Sequence, residues 1–143
     1  MCAARKQAEA AITRPGRPGV RDRALAQARA QLGAANPALA IQTLRPLIRK
    51  GKADGEALYL TGVAYRAGGD LVSATDYARR SIKAVDNAHA RLLLASCLRA
   101  KGETEKCVAA CDAAMAAPAL AEQAMALKGA ALEEAGRFDE ARP

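Results

Sequence analysis

Residues 55–87 read GEALYLTGVAYRAGGDLVSATDYARRSIKAVDN, and the placement of small residues in this stretch decides the architecture. Leu58, Gly62 and Tyr65 are four and three apart, so they share one face of a helix over 56–68. Gly69 ends that helix, because glycine enters the left-handed backbone region without a Cβ penalty. Asp70 is placed to cap a second helix over 71–84. That helix carries Ala74, Ala78 and Ser81 on one face. Gly62 and Ala74 are small enough to let the two helices lie close. A pair this thin cannot bury its own apolar face and must stack on neighbours.

The same pattern recurs outward from this stretch. Thirty-three residues on, Ala95 stands in the slot of Gly62, Leu98 in that of Tyr65, and Gly102-Glu103 in that of Gly69-Asp70. Cys107, Cys111 and Ala114 replace Ala74, Ala78 and Ser81. Thirty-four further, Gly129, Leu132, Gly136 and Ala141 fill the same slots. A more degenerate unit fits residues 21–52. Ala28 sits 34 before Gly62, and Ala40 sits 34 before Ala74. Leu44 and Leu47 lie on the core face of a helix over 37–49. Asn36 and Pro37 read as an N-cap followed by proline at the first helical position. Ala35 stands where the turn glycine recurs, with Gly33 two residues earlier. Pro46 inside this helix removes one hydrogen bond and is expected to kink it.

A fixed period of 33 or 34 residues marks a repeat architecture, and the pattern resembles the tetratricopeptide repeat. That family's unit is a 34-residue antiparallel helix pair with Leu-Gly and then Tyr in its first helix. Its second helix carries Ala, an aromatic and Ala, followed by Pro. Residues 55–87 match at Gly62, Tyr65, Gly69-Asp70 and Ala74, and depart at Thr61 and Asp86. Residues 88–118 match at Leu94-Ala95, Leu98, Gly102, Ala114 and, one place early, Pro118. Residues 122–141 match at Gly129, Leu132, Gly136, Phe138 and Ala141. The resemblance implies an all-α fold, a right-handed α-solenoid of antiparallel helix pairs. Residues 1–20 are expected to be a basic segment and linker, with an alanine-rich, helix-prone stretch at 3–12. Residues 21–143 are expected to form the array, in units of about 21–54, 55–87, 88–121 and an incomplete 122–143. The second helix of the last unit is only begun at Phe138–Ala141. That leads us to expect a fragment, or a downstream element covering this end.

Composition agrees. Apolar residues make up 51 % of the 143, roughly a quarter of the chain is alanine, and aromatics are 3 % with no tryptophan. Alanine is the strongest helix former, and a chain rich in it fills thin helix interfaces rather than a wide core. Alternating β-branched runs are absent, so strands are not expected. The net charge of +7 is uneven. Residues 1–53 hold eleven bases and two acids, a balance of +9, whereas 54–143 carry −2. The basic half is electrostatically suited to nucleic acid, an acidic partner or an anionic surface. An ordinary solvated, arginine-rich surface accounts for this half equally well, and nucleic acid is not the expected partner: the scarcity of aromatics argues against base stacking, although phosphate contacts need only charge. No apolar run is long enough to span a membrane, and residues 1–20 lack the apolar core of a secretory signal. Both point to the cytoplasm.

No enzyme signature emerges, and no catalytic, cofactor-binding or metal-binding residue is expected. Cys107 and Cys111 are four apart and Cys97 lies on the preceding helix. They occupy slots held elsewhere by alanine, where cysteine packs as a small apolar residue. No CxxC pair exists, and His89 falls on another face. Cys2 lies near the chain start, and nothing singles it out. Glu133 and Glu134 diverge by about 100° on a helix and form no acid–base pair.

By resemblance, the open faces of the first helices line a concave groove. These faces present Glu56, Tyr59, Val63 and Arg66, then His89, Leu92, Ser96 and Arg99, then Gln123, Ala126, Ala130 and Glu133. The degenerate unit would add Asp22, Leu25 and Arg29. The expected partner-binding residues are therefore Arg29, Tyr59, Val63, Arg66, Leu92, Ser96 and Arg99. Arg66 and Arg99 are one repeat apart and suited to acidic groups on an extended peptide. The paired Lys and Asn pattern that clamps a chaperone's C-terminal carboxylate is missing. The leading expectation is a protein-interaction scaffold taking a protein or peptide partner. The alternative is the repeat arm of a larger enzyme, such as a sulfotransferase or glycosyltransferase, with its catalytic domain beyond Pro143.

Overall fold

The structure is a computed structural model that describes residues 19–49 and 54–136. Helix α1 spans Val20–Gly33, α2 Pro37–Ile48, α3 Gly55–Ala67, α4 Leu71–Ala84, α5 Ala88–Ala100, α6 Thr104–Ala114 and α7 Ala121–Glu134. A 3-10 turn at Pro118–Leu120 leads into α7. No strand occurs among the described residues, and none of the helices is long and apolar enough to cross a membrane. Val20, read as the last linker residue, opens α1 instead. The segment before Gly19, Cys2 within it, and Phe138–Ala141, where the start of a second helix was expected, lie outside the described residues.

Each helix packs on the next in sequence, from α1 on α2 through α6 on α7. In addition α1 meets α3, α3 meets α5 and α5 meets α7, while no comparable contact joins α2 to α4 or α4 to α6. The first helices of the pairs therefore crowd together on the inside of the curve, and the second helices spread on the outside. This is a tetratricopeptide-like α-solenoid.

The helix interfaces are built from small side chains, as the sequence pattern requires. Ala28, Ala40, Ala57, Ala64, Ala74, Ala78, Ala90, Ala95, Ala114 and Ala124 have no exposed surface. A Cβ placed on Gly62 would lie 2.8 Å from Leu93 Cδ2 and 3.3 Å from the Ala74 carbonyl oxygen. The α3 backbone thus approaches α4 more closely than a larger residue permits. Buried polar groups are satisfied within this frame. Thr61, where leucine was expected, donates to the Ala57 carbonyl at 2.8 Å. Ser81 donates to the Gly55 carbonyl at 2.7 Å and ties α4 to the start of α3. The side chains of Asn36, Asp54, Asp70 and Asn87 accept from backbone N–H groups of the helices they precede. Helix α2 continues through Pro46 and ends two residues later.

The turn between paired helices has one geometry throughout. Gly69, Gly102 and Gly136 have φ of +88°, +78° and +77°, and Ala35 occupies the same slot at +60°. The next backbone N–H reaches back five residues at Asn36, Asp70 and Glu103, each at 2.9 Å, which is the Schellman closure. Position 35 therefore demands the left-handed conformation although no glycine is there, and an L-residue pays roughly 1–2 kcal/mol for it. We expect Ala35→Gly to raise the unfolding free energy by about 1 kcal/mol and Gly69→Ala to lower it by a similar amount. Chemical denaturation followed by circular dichroism measures both; equal stability of all three proteins would contradict the turn assignment.

Candidate functional site

The inner wall carries three concavities in a row. Helix α3 contributes Tyr59, Val63 and Arg66 at helical spacing, and α5 contributes Leu92 and Ser96 in the slots of Tyr59 and Val63, with His89 in the slot of Glu56. With Leu93, and with Gln123 and Leu127 from α7, they enclose a central concavity of about 350 Å³. Five of the seven expected groove residues meet there: Tyr59, Val63, Arg66, Leu92 and Ser96. The Tyr59 and His89 rings sit 6.0 Å apart across its edge. Partial burial of Tyr59 pushes its hydroxyl pKa up, against a small opposing effect from the charge of Arg29.

The other two expected arginines lie in neighbouring concavities, each held by an acid. Arg29 lines the larger one, of about 680 Å³, with Arg21, Asp54, Glu56, Tyr59 and His89. There it pairs with Glu56. Arg21 reaches Asp54 through Nε at 2.5 Å and Nη2 at 3.1 Å, and Glu56 at 3.3 Å. Partial burial pulls the Asp54 pKa upward, but hydrogen bonds from Arg21 and the Ala57 N–H, with the Arg21 charge, hold it below the ordinary value. Arg99 lines a third concavity of about 230 Å³ with Thr104, Ala131 and Glu134. It donates to Glu134 through Nε at 2.8 Å and through Nη2. Arg66 makes no ion pair among the described residues, so it differs from Arg99 in what it offers a ligand. Leu25, expected on the open face, is buried instead, clustered with Ala28, Ala57, Leu60 and Ala64. A leucine in this slot is covered by α3, whereas the longer Tyr59 one repeat later stays half-buried.

Several features escaped the sequence reading. Leu93 and Leu127 line the central concavity, where Ala126 and Ala130 were expected. The inner-wall ion pairs Arg21–Asp54 and Arg99–Glu134 join residues 33 and 35 apart. Opposite charges one repeat apart on first helices are the signal that would have found them. On the other side of α3, Tyr65 stacks on Tyr77 at 5.3 Å and Arg80 lies over the Tyr77 ring at 4.7 Å.

The thiols of Cys97, Cys107 and Cys111 are free and buried. Burial pushes all three pKa values up, that of Cys111 to about 12 with help from neighbouring Cys107. Thiolate is the reactive form, so these positions are held inert by the fold.

The stacked helix pairs and concave first-helix wall define the class, a tetratricopeptide-like solenoid. Neither a protein-family model nor a curated protein matches the sequence. Solved structures do match in fold. Two of MamA give TM-scores of 0.75 and 0.74 at 24 % identity, covering 82 % of this chain and 65 % and 70 % of theirs. A third, MamA MSR-1 C2, gives 0.69 at 24 % identity over 85 % of this chain and 68 % of its own. The chain thus spans about 65 % of the length of the first. At this identity the likeness is one of fold.

In a Cys2→Ser variant we expect a disulfide reagent at mildly alkaline pH to label the remaining thiols only as fast as the chain opens. Denaturant should make all three react at once. Rapid labelling of the native protein would contradict the burial of this layer.

Proposed function

We propose that the chain is a protein-interaction scaffold without chemistry of its own, taking a partner segment into the concave groove. The observation that carries this reading is the central concavity. An apolar lining from Tyr59, Val63, Leu92, Leu93 and Leu127 surrounds Arg66, which has no acid beside it. Pockets with an apolar lining and a few placed polar groups are where ligands bind. The fitting ligand is a short segment that sets an apolar side chain against Tyr59 and Leu92 and a carboxylate against Arg66. Ser96 and Gln123 add hydrogen-bonding groups at the rim. Arg29 and Arg99 remain in the proposed groove as its flanks, but their charge is already answered by Glu56 and Glu134. The proposal accordingly places recognition of acid on Arg66, in place of the Arg66–Arg99 pair expected from sequence.

A peptide array that varies one acidic residue beside one apolar residue, followed by fluorescence anisotropy on the strongest peptide, tests this. Arg66→Ala should weaken binding about 10- to 100-fold, the value of a charged hydrogen bond. Tyr59→Ala should weaken it too, while Arg99→Ala should change it less than threefold. Unaltered affinity in the combined Tyr59→Ala and Arg66→Ala protein would refute the groove as the site.

A further inference from the structure

Among the described residues, not every cation is engaged on the inner wall. Arg21 and Arg29 on the inner wall are answered by Asp54, the N-cap of α3, and by Glu56 on α3. Four other cations sit on the second helices, on the outside of the curve. Arg45 lies in the last turn of α2 and Arg49, four further on, is its C-cap with the backbone N–H bonded to the Arg45 carbonyl, while Arg79 and Lys83 are four apart on α4. Arg45 and Arg79 differ by 34 residues, as do Arg49 and Lys83, so the four occupy two repeat slots in two successive units. All four are exposed, and none has an acidic partner among the described residues. Their neighbour Arg80 is engaged separately, stacked on Tyr77 and 3.9 Å from Asp76. One unit further, Asp112 and Ala116 fill the two slots, and Asp112 is bound to Lys128. The array is two repeats wide and then stops.

We propose that this outer face of α2 and α4 is a second binding surface, separate from the groove, for the phosphate backbone of a nucleic acid. Side chains four apart on a helix point the same way about 6 Å apart along its axis. Two such pairs in register present a regular grid of donors to a regular polyanion. A tight interface with an acidic folded protein would centre on a buried aromatic or apolar anchor, and none lies among these four. A membrane surface would call for apolar side chains between the cations. Of the exposed large apolar residues here, Leu39 and Val72 lie at the opposite ends of the helices, and Val85, just past Lys83, is a single side chain rather than an apolar face between the cations. No aromatic side chain is presented for stacking, so contact is with phosphate alone and indifferent to base sequence.

Anisotropy of a labelled single strand of mixed sequence, titrated with the protein over a range of salt, reads the proposal. Four phosphate contacts give a log K against log salt slope of about −2.8. Arg45→Gln with Arg79→Gln should reduce the slope by about 1.4 and weaken binding at least tenfold at low salt. Arg49→Gln with Lys83→Gln should do the same, and circular dichroism confirms that each variant is folded. Arg66→Ala should leave strand binding unchanged, which separates this surface from the groove. Absence of salt-sensitive binding, wild-type binding by both folded double variants, or equal competition by polyglutamate would overturn it.

Discussion

The structure depends on how near two helix backbones come where their contacting residues are glycine and alanine. Around Gly62 an added Cβ would press on the end of the Leu93 side chain of α5 at 2.8 Å and on the Ala74 carbonyl of α4 at 3.3 Å, so anything larger than a methyl has no room. Close approach converts modest side chains into full burial. Alanines with no exposed surface recur in every pair, and the buried residues gather in three clusters along neighbouring helices rather than in one central core. A chain with 3 % aromatics reaches native packing density only in this thin, layered form.

Layering also sorts the surface. First helices crowd on the inside, so their outward residues line a shared wall. Charges on that wall meet one another across a repeat: Arg21 with Asp54, Arg99 with Glu134. Exposed pairs of this kind contribute little to stability, but they decide which inner-wall cations are free for a ligand. Arg66 is left free because the slots around it carry Tyr59, Leu92 and Gln123. On the outside, Arg45, Arg49, Arg79 and Lys83 have no acidic partner among the described residues, whereas Asp112 one unit further is held by Lys128.

The fold was legible because repetition multiplies a weak local signal. A single Gly or Ala at one position means little; a small residue, alanine or glycine, at each of 28, 62, 95 and 129 fixes the helix pairs and their turns. The Asp70 cap and the Asn36-Pro37 start follow from local chemistry and are found in place. What sequence could not supply was the reach of long side chains. Arg99 was read as a ligand-binding group because its slot repeats that of Arg66, yet a glutamate on the next first helix claims it. Leu25 was placed on the open wall by the same periodicity, and its short side chain let α3 cover it. The stacking of Tyr65 on Tyr77 likewise joins two rings that the next unit replaces with Leu98 and Ala110.

The central claim is that close backbone approach holds the layers, and substitution at its tightest point measures it most directly. Gly62→Leu, compared with the unaltered chain by chemical denaturation, should lose about 2–3 kcal/mol or more, the cost of forcing a branched side chain into a filled interface. Gly62→Ala should lose less, since Ala28 and Ala95 occupy this slot in neighbouring units. Equal stability of the leucine variant would show that the α3–α4 interface has room to spare, and the account of the layers would be wrong.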